Sequence, residues 1–541
     1  MRKNIFQTVP TIDVPRSSYR MRPEYSTTFD EGQLIPVFCR EVYPGDSWNI
    51  NVGAFSRLLS PLATPILSDM ILDIHFFYVP VRLVWDDFEK QQGAQENPGD
   101  STDYQDPWLY PGKSNESTFN KSMTFDQNSI YDYFGLPTKI DFGDPTGTLG
   151  EVIEKINSEP LRAYNRIWNE WYRDQDLQDS VYFSKTSEPD DYREFKILRR
   201  NKKHDYFTSC RPWPQKGPGV EIPLGTDAPV VGNGNTLGLQ LASNSATEGS
   251  LYSQGNNYGN LVFGYNVEGQ VGVSDDPEKS GLIARLDLGN IATINTLRQA
   301  FAVQKIFERD SIGGTRFREI LRSHWSVVSP DARLQVTEYI GGFSQKFIVN
   351  PVVQQSSTDS VTPQGNLAAF AVSGAHHHVC TKSFVEHGWI IALASVRVPL
   401  VYQQGINKMW SRRTRFEKYM PALAHLGEQA VLNKEIYATT DAEQNNAVFG
   451  YQERWNELRF QESQVTGAFR SNYLGTLDFW HLAQKFDSQP QLNGEFIQED
   501  APMDRVVAVN TEPHFLLNLS FDNIVARIMP AYSTPGLGGR F

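Results

Sequence analysis

Residues 47–55, SWNINVGAF, alternate polar and apolar positions. That is the period of a strand with one face buried and one face wet. Two neighbouring runs, QLIPVFCREVY (33–43, ending at the turn PGD) and DMILDIHFFYVPVRLVW (69–85), are rich in β-branched and aromatic residues and read as core sheet. Strand-like runs return at EYIGGFSQKFIVN (338–350), KSFVEHGWIIALASVRVPLVY (382–402) and EPHFLLNLSFDNIVARIMP (512–530). Between them the period changes. In LRAYNRIWNEWYRDQDLQD (161–179), Leu161, Tyr164, Trp168, Trp171 and Tyr172 recur at helical spacing. This predicts a helix with one aromatic face, packed against the sheet, with sugar or base stacking as the other use of such a face. IATINTLRQAFAVQKIFERDS (291–311) predicts a second helix, with Leu297, Phe301, Ile306 and Phe307 on one side, and GGTRFREILRSHWSV follows it. Helices set between distant strands of one sheet, with no strand–helix–strand repeat and no solenoid period, predict a mainly β jelly roll with long inserted loops.

Composition sharpens the outline. The chain has 541 residues, with 40 Gly, 31 Pro and 12% aromatic residues, a mix suited to many turns and long loops. Residues 219–281 hold twelve Gly among 63 residues, no Arg, and one Lys against seven acids. Such a stretch buries little apolar surface by itself, and it reads as a surface excursion. Residues 1–30, interrupted by Pro10, Pro15 and Pro23, read as an extended arm, and 31–541 as one domain. Its residues 1–23 carry Arg2, Lys3, Arg16, Arg20 and Arg22 against Asp13. It is either a solvated terminus or an arm lying on a partner subunit or nucleic acid.

Net charge is −13, which excludes a protein that coats nucleic acid by bulk charge; contact would have to come from local basic patches. Two patches exist. REFKILRRNKK (193–203) has six basic residues and one acid. KMWSRRTRFEKY (408–419) has five basic residues and one acid, with Trp410, Phe416 and Tyr419 interleaved. Guanidinium groups pair with phosphate and aromatics stack on unpaired bases, so Lys408, Trp410, Arg412, Arg413, Arg415 and Lys418 are the better nucleic-acid candidates, with Arg16, Arg20 and Arg22 of the arm. Ion pairing with a neighbouring subunit, or a solvated face, is the plainer reading of each patch. Three separated cysteines (Cys39, Cys210, Cys380) without a CxxC point to reduced thiols, and a terminus without an apolar signal region or a membrane span points to a soluble chain.

The most chemical stretch is AHHHVCTKSFVEHGW, Ala375–Trp389. On a strand His376, His378 and Cys380 would share a face, and His-x-His is a metal-ligand geometry known from cupin jelly rolls. A metal-dependent enzyme built on His376 and His378 is therefore the rival function, with a carbohydrate-binding β-protein third. Gly374 lies two residues before His376 and Glu386 eight after His378, which breaks the cupin register. The stretch then reads as a strand, with His376–His378 at a subunit interface where protonation near about pH 6.5 tunes assembly. No GxxxxGK[ST], GxSxG, HExxH or EF-hand loop occurs, so no catalytic residue, cofactor or metal is assigned.

Longer strings point elsewhere: FQTVPTIDVPRSSY, RAYNRIWNEWYRDQDLQDS, KKHDYFTSCRPWPQKG, GGTRFREILRSHWSVVSPDARLQVTEYIGG, TKSFVEHGWIIALASVR, YQQGINKMWSRRTRFEKYMPALAHLGEQAVLNKEIY and FGYQERWNELRF. In these, spread in order over both halves of the chain, the sequence resembles the major capsid protein of gokushovirus-type microviruses, small icosahedral single-stranded DNA bacteriophages. The resemblance implies one eight-stranded antiparallel jelly roll, with sixty copies in a T=1 shell around a circular single-stranded DNA genome. It implies a surface protrusion at 219–281 that meets a host receptor, assembly in the bacterial cytoplasm, minor or scaffolding proteins as further partners, and no membrane insertion. The tail PAYSTPGLGGRF ends unlike the family's, and the triple histidine is not a family motif.

Overall fold

The structure is a computed structural model; it describes residues 15–111, 122–143, 152–220, 230–232, 238–241, 244–253, 261–263, 271–273, 282–284, 294–355, 358 and 364–532. Its main strands are β1 (Arg16–Met21), β2 (Glu24–Phe29), β3 (Ile35–Val42), β4 (Ser47–Leu58), β5 (Ile71–Pro80), β6 (Glu338–Lys346), β7 (Ile348–Val353), β8 (Leu367–Ser383), β9 (Gly388–Arg397), β10 (Glu428–Leu432), β11 (Val448–Glu453) and β12 (Phe515–Ile528). Three helices matter here: α1 (Glu159–Ile167), α2 (Ile294–Gly313) and α3 (Phe317–Trp325).

Two antiparallel sheets form the framework. The first runs β1–β12–β4–β8–β7, with β2 continuing β1 along β12; the second runs β6–β5–β9–β3. The chain changes sheet between β2 and β3, β3 and β4, β4 and β5, β6 and β7, β8 and β9, and β9 and β12, giving one six-stranded and one four-stranded sheet among the described residues. This is the expected mainly β, jelly-roll architecture. The apolar patterns separate the two sheets. In β4, Trp48, Ile50, Val52 and Ala54 point inward and alternate with Asn49, Asn51 and the exposed Phe55, because the first sheet has one dry face. The second sheet is dry on both faces. Leu72, Ile74 and Phe76 meet the first sheet, while Phe77, Val79, Ile391 and Leu393 meet Leu161, Tyr164, Ile167 and Trp168 of α1. That double burial is why 71–80 and 388–397 are nearly continuous apolar runs. The turn from β3 to β4 needs Gly45, whose φ is +87°; beside it Asp46 accepts from Tyr43 N at 3.1 Å and pairs with Arg527 at 2.6 Å.

The aromatic stripe of 161–172 packs on the sheet as expected, but the helix does not run to 179. After Ile167 the chain makes one wide π turn, Trp168–Tyr172, and Arg173 is extended. Asp174 Oδ1 accepts from the backbone of Asp176 and Leu177 at 2.9 and 3.1 Å, a side-chain turn that outcompetes the next helical turn. The one-sided face expected on 291–311 is also corrected. α2 forms, but a helix turns about 100° per residue, so Ile306 stands about 140° round from Phe301, and both are exposed.

The chain divides into two compact units, Gln215–Ile312 and the remainder. The smaller unit holds α2 up to Ile312 and six short strands in small antiparallel sheets; Phe307 of α2 packs on Gly217. Much of the excursion expected at 219–281, residues 1–14 of the arm, and the tail from 533 lie outside the described residues. No helix among the described residues is long and apolar enough to cross a membrane.

Candidate nucleic-acid and assembly surfaces

A third apolar cluster carries the 408–419 segment. Tyr206, Phe207, Val431, Ile436, Phe449 and Phe496 pack beneath the β10–β11 hairpin. Above it the segment forms two 3₁₀ turns, Lys408–Trp410 and Arg415–Glu417. Asn407 caps the first by accepting from Met409 N at 3.0 Å. Glu417, the only acid of the segment, caps the second: Oε2 accepts from Arg413 N at 2.6 Å and Oε1 from the Thr414 hydroxyl at 3.0 Å. These bonds hold its carboxyl below the usual range. The acid of the segment is thus held on its own turn and makes no ion pair with Arg413, Arg415 or Lys418 among the described residues.

Two of the basic residues are anchors. Arg412 pairs with the nearly buried Glu457 at 2.7 Å, and Gln429 donates to the same carboxylate at 2.6 Å. Lys408 Nζ lies 3.3 Å from Ala430 O and 3.7 Å from Glu435. The side chains of Arg413, Arg415 and Lys418 are exposed and make no hydrogen bond or ion pair among the described residues. Trp410, Phe416 and Tyr419 stand beside them, 76%, 68% and 51% exposed. Tyr419 is fixed edge-on to Trp455 at 5.6 Å.

Most of the other basic groups pair with acids or backbone of the same chain, while Lys196 and Lys203 are exposed. In 193–203, Arg200 pairs with Asp73 at 2.5 Å, Arg199 reaches Asp500 at 3.3 Å, and Arg193 pairs with Asp191 at 2.7 Å. Lys202 is buried against Gln484 and Phe496 O, and burial lowers its pKa to about 8. In the arm, Arg16 donates to Gly45 O at 2.6 Å, and Arg20 and Arg22 converge on Asp522 of β12. The described part of the arm is therefore sheet edge: β1 and β2 both pair with β12.

The histidines occupy β8. His376 and His378 share the exposed face, as the alternation requires, and His378 Nδ1 lies 3.0 Å from Asn51 Oδ1. Cys380 does not share it. A bulge between His378 and Cys380 sets Cys380 opposite the core residue Ile50, so the expected three-residue face is broken by one extra residue. His377 turns the other way and stacks on Phe343 at 4.3 Å. Among the described residues, the one group of three donors able to hold a metal ion lies elsewhere: Asp30, Glu31 and His514. There Glu31 Oε2 meets His514 Nδ1 at 2.7 Å, and that hydrogen bond raises the imidazole pKa. A histidine whose charged form is favoured by the carboxylates around it accounts for the group.

Large apolar side chains without a partner are the feature that sequence reasoning missed. Leu474, Tyr532, Val385 and Val328 are exposed, and Ile348, Val352 and Val353 lie on the β7 edge of the first sheet, beside the exposed Phe370 of β8. Periodicity separates wet from dry only against the subunit's own core, so a residue kept for a neighbour's surface gives no separate signal.

The family model described as capsid protein (F protein) matches residues 7–537. The chain is similar to capsid protein VP1 of Bdellovibrio phage phiMH2K, 40% identical over 99% of this chain and 98% of the relative. It is 39% identical to capsid protein VP1 of Chlamydia phage 1, over 99% of this chain and 98% of that one. For capsid protein VP1 of Spiroplasma virus 4 the identity is 34%, with 97% and 96% covered. The rival reading as a metal-dependent enzyme loses both its register and its company, and the chain belongs to the capsid protein (F protein) family, as a structural subunit that self-assembles into the coat of a virus particle.

Proposed function

We propose that sixty copies of this chain close a T=1 shell around a circular single-stranded DNA genome, with the 408–419 surface turned towards the nucleic acid. The observation that carries the second half is the exposed trio Arg413, Arg415 and Lys418 interleaved with Trp410, Phe416 and Tyr419. Phosphates would pair with the cations and unpaired bases would stack on the rings. The net charge of −13 suits a coat whose remaining surface repels nucleic acid. In the same reading, residues 1–14 of the basic arm reach a neighbour or the genome, while β1 and β2 belong with 31–541 to one jelly-roll domain. Residues 219–281 meet the host surface, and assembly takes place in the host cytoplasm with minor or scaffolding proteins.

The test is charge reversal of Arg413, Arg415 and Lys418 to Glu, leaving Arg412 on Glu457. Particles should still form and carry less DNA. Their salt dependence should be shallower, by about 0.7 in log–log slope for each single-strand phosphate that is no longer neutralised. Particles with unchanged DNA content would remove the assignment.

A further inference from the structure

Trp410 stands on the wall of a cavity of about 400 Å³ that opens beside the basic surface. This is within the usual size of a small-molecule site, about 300–1,000 Å³. Tyr402, Phe207 and Phe460 add further ring surface, and Asn407, Gln461 and Glu462 supply polar atoms. Tyr402 is braced edge-on by Phe207 at 5.1 Å and in parallel by Phe486 at 6.2 Å. Its hydroxyl is buried beside the Asp205 carboxylate, and burial first, then that carboxylate, push its pKa well up. Glu462 Oε2 accepts from Asn407 at 3.3 Å, which leaves Oε1 for a ligand. The side-chain amide of Gln461 makes no hydrogen bond among the described residues. The two deeper acids are already engaged. Glu435 accepts from the Tyr206 hydroxyl and Leu432 N, both at 2.9 Å, and Asp205 from Phe207 N and Thr208 N at 2.9 and 2.8 Å. The lining therefore offers ring surface, one open carboxylate oxygen and one amide, a set that suits a flat ligand with N–H donors on its edge.

We infer that this cavity seats one unpaired nucleobase of the packaged strand, stacked on Trp410 and hydrogen-bonded by Gln461 and Glu462, with the flanking phosphates on Arg413 and Arg415. The inference rests on the nucleic-acid reading above and adds a base-dependent site to a sequence-blind surface. A carboxylate accepts from adjacent N–H groups on a base's pairing edge, so guanine is the preferred occupant and adenine binds less well.

The experiment uses the full chain and short thymine oligonucleotides with a central guanine, adenine or abasic position, followed by fluorescence anisotropy at several salt concentrations. The guanine oligonucleotide should bind about 5- to 150-fold tighter than the abasic one, the range of a single base–aromatic stack. Trp410→Ala should erase that difference. Glu462→Gln should erase guanine over adenine, while Arg415→Ala should weaken all three equally and flatten the salt slope. Near-ultraviolet circular dichroism checks that each variant keeps its packing. Equal binding of guanine and abasic strands by the native chain overturns the inference. So does base dependence that survives Trp410→Ala and Glu462→Gln, or a lysine-rich peptide that displaces the guanine strand through Trp410. If arginine variants still weaken binding in those cases, the surface reading stands and the cavity falls; if they do not, both fall.

Discussion

At the scale of single residues, buried charge is concentrated where sheets and loops meet. Asp73 is buried in β5, yet it receives Arg200 and Arg397, each at 2.5 Å, and the Ser344 hydroxyl. Burial works against its ionisation, but the two guanidinium groups outweigh that and hold the carboxyl below its usual range. Arg162 repeats the pattern with Asp190 at 2.6 Å, both nearly inaccessible. Removing one partner of such a set leaves the others charged and dry, a loss of about 3–5 kcal/mol. Asp73→Asn is expected to cost that much in denaturant unfolding of the unassembled subunit, whereas Lys418→Ala, on an exposed side chain, is expected to change it by less than about 0.5 kcal/mol. An aspartate inside DMILDIHFFYV signals a paired charge in the sequence, but not its partner. Arg200 is 127 residues away and sits in a basic run indistinguishable by composition from a genome-facing one.

At the scale of elements, β7 is the exposed edge of the first sheet. Its outward residues Ile348, Val352 and Val353 are apolar, and among the usual protections of an edge only Pro351 is present. An exposed apolar edge of this kind is prone to pair with another surface, and we expect a neighbouring subunit of the coat to cover it. Val352→Lys is therefore expected to leave the subunit's melting temperature within about 2 °C and to abolish particles in electron micrographs or sedimentation; normal particle yield would show that β7 is not at a contact. The strands themselves were readable because side-chain alternation is a local property: 47–55 shows its wet face, and 71–80 shows that it has none. The end of α1 and the bulge after His378 were not readable. Each depends on one side-chain hydrogen bond or one extra residue, below the resolution of any periodic pattern. The anchor role of Arg412 was hidden for the same reason, since Glu457 is 45 positions away.

At the scale of the whole molecule, the Asp30–Glu31–His514 group joins the arm to the start of β12 and faces Asp504 across the loop, 3.8 Å from Nε2. The folded state raises the His514 pKa above its ordinary value of about 6.5. Folding thus binds a proton. The stabilisation is complete below about pH 6.5 and is lost as pH rises through the raised value. Melting of the subunit should fall from mildly acidic towards alkaline pH, and His514→Asn should lower it at about pH 6 and flatten that decline; an unchanged profile would show that the group is not linked to stability. A further consequence lies in the order of synthesis. β12 is the strand between β1–β2 and β4, and it bonds to a neighbour made 460 residues earlier, at Ser56–Leu516. Until the ribosome has delivered it, the first sheet has a gap rather than an edge, and Trp48, Ile50 and Val52 lack their neighbours Phe521 and Leu519. A nascent or truncated chain cannot present the finished surface that another copy would recognise. The topology is thereby expected to delay recruitment until translation is complete, and chains truncated before β12 are expected to stay out of particles in co-expression.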